Sequence, residues 1–313
     1  MGNKIIRNLS WALMLLLLVL LAPGCAAQQA FASPELAVET LVSALQNGNQ
    51  QEIKQILGWS GDQLLQSGDP ISDRNAVNRF LTAYQEKHQL VHQPDGDVTL
   101  IVGNNDWPMP IPLVMDEKKK GWIFDVAAGK DEIINRRVGR NELDAIQTLL
   151  AIVDAQREYA QIDPQHFGAP AYAPKFFSDP GKRNGLYWPT LEGEPSSPLG
   201  QLVAQAQSQG YSRNGSNKPQ PYRGYKFRML TSQGPNAMGG PLDYTIGGMM
   251  IWGFAVVAYP AEYGKSGVMT FIVNQRGVVY QRDLEAATEL VAGAMTTFDP
   301  GPGWELADVT LKP

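Results

Sequence analysis

The chain contains a single cysteine, Cys25. No disulfide can therefore close within it, and its fold must be held by packed apolar side chains. The composition can supply that packing: 43% of the 313 residues are hydrophobic and 18% are charged, an ordinary globular balance. The length predicts about two domains. Gly 31 and Pro 22 point to many turns and long ordered loops.

Cys25 also sits at a boundary. Lys4 and Arg7 form a positive stretch, and Trp11 to Leu21 is an unbroken apolar run followed by small residues. This is the order of a secretory signal, with an apolar run too short for a permanent membrane span. Residues 1–32 are therefore read as signal peptide and short leader. The placement of Cys25 after Leu21-Ala22-Pro23-Gly24 resembles the lipobox of bacterial lipoproteins, which implies lipidation at Cys25 and attachment to the membrane. The alternative is plain secretion, with cleavage after Ala27, after Ala30 or at the Ala30-Phe31-Ala32 triplet. Ala26 and Ala27 favour the outer membrane over the inner one if Cys25 is lipidated. The expected location is thus outside the cytoplasm, in the periplasm or anchored at the outer membrane.

Charge removes one class of partner. Loss of Lys4 and Arg7 leaves 24 basic against 31 acidic residues, about −7 in place of −5. Such a chain, without a basic run, gets no electrostatic help toward nucleic acid or anionic lipid. The densest basic cluster, Lys118-Lys119-Lys120, falls where a hairpin turn is expected.

The mature fold is predicted to open at Ser33-Pro34-Glu35, a serine cap followed by proline at the first helical position. Leu36, Thr40, Leu41 and Leu45 line one side of this helix, and Gly48 stops it. A second helix covers about Gln50 to Leu57. A third starts near Ser72-Asp73, with Val77, Phe80, Leu81 and Tyr84 inward. Val98 to Val102 reads as a strand, and Trp107 to Leu113 alternates strictly. Pro108, Pro110 and Pro112 take donors from one side of the latter, which makes it an edge strand at most. Gly121 to Val126 returns after the lysine turn. Helices followed by a curved antiparallel sheet resemble cystatin-like and NTF2-like cones over residues 33–127.

Residues 128–313 are expected to form a second unit. Gly129 begins a long helix reaching about Ala160, with a bend at Gly139. Leu143, Ile146, Leu150 and Val153 form its apolar stripe, widened by Leu149 and Ile152. A long loop, 161–221, carries one helix at about Leu199 to Gln207. Strands are predicted at Tyr225 to Met229, Tyr244 to Ile246, Met250 to Ala258, Val268 to Val273 and Val278 to Tyr280. A turn at Asn274-Gln-Arg-Gly277 separates the last two. A helix from Leu284 to Met295 precedes a Pro/Gly-rich tail.

Several phrases resemble a family of exported bacterial proteins known only as a domain of unknown function, number 2950 in its series. They include Phe31-Ala-Ser-Pro-Glu-Leu-Ala-Val38, Ser67-Gly-Asp-Pro70, Asp106-Trp-Pro108 and Asn135-Arg-Arg-Val-Gly-Arg-Asn-Glu-Leu-Asp-Ala-Ile146. Gly185-Leu-Tyr-Trp-Pro189, Pro260-Ala-Glu-Tyr263 and Val268 to Tyr280 continue the match. The family brings no activity and no catalytic residues. The stretch Asn141 to Tyr159 and the hairpin Gly264 to Val278 also resemble type IV pilin-like globular domains, although no hydrophobic stem precedes this helix.

No catalytic, cofactor-binding or metal-ligating set emerges. His88 and His92 have a spacing that puts two ligands on one helical face, but no acid or cysteine completes a site, and a solvated helix end is expected. Gly264-Lys265-Ser266 lacks the first glycine of a phosphate loop. Asp106, Asp125, Asp144 and Asp154 are the carboxylates on which hydrolysis would have to rest, Asp144 and Glu158 being expected in exposed ion pairs. Arg136, Arg137 and Arg140 suit an anionic group or a partner's carboxylates, or else pair with Asp131, Glu132, Glu142 and Asp144. Tyr187 and Trp188, in the long loop, are candidate contacts for a partner or ligand, whereas Trp252 reads as core.

The expected fold class is α+β: helices with an antiparallel sheet, then a long helix on a second antiparallel sheet. The expected function is non-enzymatic binding or scaffolding of envelope proteins, without a cofactor. Two alternatives remain: an envelope-polymer hydrolase, or a small-ligand binder using the N-terminal cone.

Overall fold

In a computed structural model, residues 28–58, 61, 64–212 and 219–310 are described. The signal segment and Cys25 lie outside them. The architecture is α+β, built around two hydrophobic cores.

The first core begins with α1 (Pro34–Gln46), where the Ser33 hydroxyl accepts from the Leu36 amide. Its inward face is Ala37, Val38, Leu41, Val42 and Ala44, one step around from the expected stripe. Leu36 is 46% exposed, and Thr40 donates to the Leu36 carbonyl at 2.6 Å. Small residues at 37 and 44 permit close packing, which an apolar count does not register. Helix α2 (Gln50–Leu57) buries Ile53, Ile56 and Leu57. Helix α3 (Pro70–Glu86) starts at Asp69-Pro70 rather than Ser72-Asp73, because the Asp69 carboxylate accepts from the amides of Ile71 and Ser72. No residue of α3 is fully buried; Phe80, Leu81, Ala83 and Tyr84 only lean on the core.

Beneath these helices lie β1 (His88–His92), β2 (Val98–Val102), β3 (Trp107–Pro108), β4 (Leu113–Asp116) and β5 (Gly121–Phe124). All pair antiparallel in the order β1-β2-β4-β5, with β3 also on β2. Val98, Leu100 and Val102 of β2 point into the core. The expected continuous strand from Trp107 to Leu113 is broken. Met109 still donates to Leu100 at 2.8 Å, but Pro110 and Pro112 have no amide to extend the ladder. Their carbonyls face the next helix instead. Asp125 donates to Pro112 at 2.9 Å, and Gly129 sits against the Pro110 carbonyl where a Cβ would collide.

Helix α4 (Val126–Ile162) is 37 residues long, starts three residues earlier than expected under an Asp125 cap, and stays helical through Gly139. Its first part packs Val126, Ile133 and Ile134 on the first core. Its second part packs Ala145, Ile146, Leu149, Ile152, Val153 and Tyr159 on the second. Ile146 and Val153 are buried as expected, whereas Leu143 and Leu150 are only half-buried. The buried face is turned because it also carries Asn141, Asp144, Thr148 and Gln156. Gln156 imitates a strand: its amide donates to the Ala173 carbonyl and accepts from the Ala173 amide, both at 2.8 Å.

The second sheet contains β6 (Tyr225–Leu230), β11 (Ala255–Pro260), β12 (Met269–Asn274), β13 (Val279–Asp283) and β15 (Glu305–Leu306), antiparallel in the order β15-β13-β12-β11-β6. All six residues of β11 are buried. The expected strand from Met250 to Ala258 is therefore two, with β10 (Met249–Met250) pairing β9 (Thr245–Ile246) in a separate hairpin. The tail is not irregular: besides β15, β14 (Thr297–Phe298) joins β7 (Ser232–Gln233) in parallel, and β8 (Leu242–Asp243) pairs with β7. In the long loop, α5 (Gly200–Ser208) forms where a helix was expected. Near the end, α6 (Thr288–Ala294) follows a 3-10 turn whose first amide donates to Asp283.

Candidate binding cavity

Because α3 rests on its sheet without burying a residue, a cavity of about 340 Å³ opens beneath it. Leu41 and Leu45 of α1, Val77 and Phe80 of α3, and Met109 and Ile111 of the broken strand give it an apolar wall. Helix α4 supplies the other side with Ile133, Arg136, Arg137 and Arg140. The three arginines singled out by sequence thus come together at one cavity, and the long helix presents them there.

Their states differ. Arg136 is satisfied: its Nε lies 2.6 Å from Glu132, and its guanidinium stands over the Trp107 ring at 5.5 Å. Arg137 donates through Nη2 to the Leu64 carbonyl, but its Nη1 is buried without a hydrogen-bond partner among the described residues. Burial pushes the Arg137 pKa down, against the charge of Asp73, and Arg140 adds to the downward push. Arg140 itself is exposed at the rim. Asp73, also lining the cavity, is raised by burial despite accepting from the Ser67 hydroxyl at 2.6 Å and amide at 2.9 Å.

A polar cleft of about 870 Å³ adjoins the cavity, sharing Ser72, Arg79, Ala83, Arg140 and Asn141 with it. Asn75, Asn78 and Thr82 of α3 line one side, and Tyr211 and Arg223 the other. Asp144, expected in an exposed helical pair, is buried here and bonded to Arg223 at 2.6 Å. The partner comes from 79 residues away, so helix spacing could not reveal it. Below the cleft, Asp69 is fully buried, and its second oxygen accepts from the Tyr211 hydroxyl at 2.9 Å and the Gly224 amide at 2.8 Å. Burial, then the Asp69 charge, drives the Tyr211 pKa upward.

The other sequence candidates stay apart. Asp106 pairs with Lys87, Asp125 caps α4, and Asp154 pairs with Arg157. His88 and His92 belong to β1, not to a helix end, and His88 stacks on Tyr84 with ring centres 3.9 Å apart. Among the described residues no His, Cys, Asp and Glu side chains group as a metal site. Trp188 does not project from its loop: it is 7% exposed, edge-on to Tyr159. Tyr187 is half-buried and edge-on to Phe177. Leu186, just before them, is fully buried, and this apolar anchor turns the segment inward. Trp252, expected in the core, is 55% exposed, because the strand that would have buried it ends at Met250. Sequence reasoning missed Arg79, Arg223 and Asp69. Only Asp69 had a local signal, the Asp-Pro pair that opens α3.

No helix among the described residues is long and apolar enough to cross a membrane. Neither a curated protein nor a solved structure matches the chain. A family model described as "Protein of unknown function (DUF2950)" matches residues 28–307, a span that includes both cores.

Proposed function

Since this chain belongs to the DUF2950 family, whose description carries no activity, we propose from its geometry that it is a non-enzymatic envelope protein holding the apolar part of a small molecule in the cavity under α3. The observation that carries this reading is the cavity itself, about 340 Å³ with a mostly aliphatic and aromatic wall. Small-molecule sites are typically about 300–1,000 Å³ and lined in this way, with few polar groups. Apolar walls facing a void forgo contacts that a ligand would restore.

The hydrolase alternative has less support, since Asp106, Asp125, Asp144 and Asp154 each have a separate partner, Lys87, the Ala128 amide, Arg223 and Arg157. The scaffolding alternative draws on exposed apolar side chains of the second unit, Met238 at 70% and Leu290 at 78% among them. An envelope location follows from the signal segment, and membrane attachment from lipidation of Cys25. Cys25→Ser should then leave export intact and move the protein from the membrane fraction to the soluble one.

The binding reading is tested with a neutral polarity-sensitive dye such as Nile red. Its fluorescence should rise on addition of the purified chain. Val77→Phe, which narrows the cavity from its α3 wall, should strongly reduce the rise, and Leu290→Asp on the second core's surface should not. A rise that survives Val77→Phe but disappears in Leu290→Asp would replace this reading with the scaffolding one.

A further inference from the structure

We infer that the cavity selects single-chain amphiphiles with an acidic head, the chain lying against the apolar wall and the head seated on Arg137 and Arg140. This inference rests on the binding reading above and names its ligand class.

The first argument is local charge. The whole chain carries −5, yet four arginines and one aspartate line the cavity: Arg79, Arg136, Arg137 and Arg140 against Asp73. The acid is committed to Ser67, and Arg136 to Glu132 and Trp107. The remaining cations are under-partnered. Among the described residues buried Arg137 has only the Leu64 carbonyl, while Arg79 and Arg140, both exposed, form no hydrogen bond or ion pair and are free to turn toward a ligand. A buried guanidinium nitrogen without an acceptor is costly. Arginine cannot escape that cost by losing its proton in this range. An oxyanion relieves it, since a carboxylate or phosphate accepts from two guanidinium nitrogens at once.

The second argument is arrangement. Arg136, Arg137 and Arg140 of α4 face Arg79 of α3 around an apolar space, where the cavity meets the cleft of Asn75, Asn78 and Thr82. A molecule filling the cavity must change from apolar to polar where Arg79 and Arg140 border both spaces. That is the anatomy of an amphiphile. The cations are also close enough to disturb one another: after burial, the charge of Arg140 is the next cause depressing Arg79. A negative head between them offsets that repulsion.

The test uses the purified full chain and calorimetric titration with dodecanoate, monododecyl phosphate, neutral monolaurin and inorganic phosphate. All amphiphiles are kept below their micelle concentrations. Either acidic amphiphile should bind at least about tenfold tighter than monolaurin, as a charge-assisted hydrogen bond predicts. Their order tells whether the seat prefers a carboxylate or a phosphate. Arg137→Gln should erase the preference while leaving monolaurin binding in place, which shows that the variant is folded. Arg140→Gln, at an exposed position, should reduce it without that risk. Equal binding of acidic and neutral amphiphiles would overturn this inference and leave the binding reading standing. Inorganic phosphate binding as tightly as its dodecyl ester would overturn it too, by making the site one for free anions. If no amphiphile bound, the binding reading itself would fall.

Discussion

The two cores of this protein are covered differently. In the second, β11 is buried at all six positions, between β6 and β12 and in contact with α6. In the first, α3 covers its sheet with no fully buried residue, and a cavity of about 340 Å³ remains. Both cores use the same kinds of aliphatic and aromatic residues. The lesson is that apolar surface becomes stability only where opposing surface fills it, and elsewhere remains available to a ligand.

The widest separation between the two regions should come from truncation. Leu149→Ala, at a fully buried position of the second core, should cost about 2–5 kcal/mol. Leu45→Ala, half-buried beside the cavity, should cost less than half of that, because its wall already faces space. Chemical denaturation of both variants measures the gap, and equal costs would break the comparison. Next comes the carboxylate joining the regions. Asp69→Ala removes the α3 cap and orphans the donors of Tyr211 and Gly224, a loss of about 2–4 kcal/mol by the same measurement. Enlargement should then separate the regions in the opposite sense. Ala258→Leu in β11 overpacks a filled space and should cost about 1–3 kcal/mol. Val77→Phe should leave the unfolding midpoint nearly unchanged, as thermal denaturation would show.

The smallest effect concerns acid. Burial raises the Asp73 pKa above its ordinary 3.8. Between that value and the raised one, the folded state binds more protons than the unfolded state, so this group's contribution to stability falls as pH rises. Asp163 does the reverse: the amides of Phe167 and Gly168 lower its pKa, and its contribution is lost as pH falls through the folded value. Carboxyl NMR titration should find Asp73 protonating at higher pH than Asp163. Asp73→Asn should remove the first slope and leave the second. A reversed order would mean that Asp73 is better solvated than its position under α3 implies.

Much of this was legible in sequence where the signal is local. Ser33-Pro34 and the run Gln50 to Leu57 placed α1 and α2, and the turn Asn274 to Gly277 joined the right strands. The α+β class followed from the two halves of that pattern. Arg136, Arg137 and Arg140 were visible as a group, but not the cavity they line, since that depends on how loosely α3 sits. The face of α4 was displaced because Gln156 and Asp144 are buried with partners at Ala173 and Arg223, and polar residues count as outward in any apolar periodicity. The burial of Trp188 was not legible for the converse reason: it lies in a loop, and the loop is drawn inward at Leu186.

Helix α4 runs for 37 residues, about 55 Å at the usual rise, and belongs to both cores. Between Ile134 and Asn141 it is the bridge from one to the other. The middle of that bridge holds Gly139, exposed and open around its Cβ position, where glycine weakens a helix by roughly 1 kcal/mol relative to alanine. Arg136, Arg137 and Arg140 flank this weakest turn of the bridge, so a molecule held by these side chains would brace the one stretch of helix that packing on neither core supports.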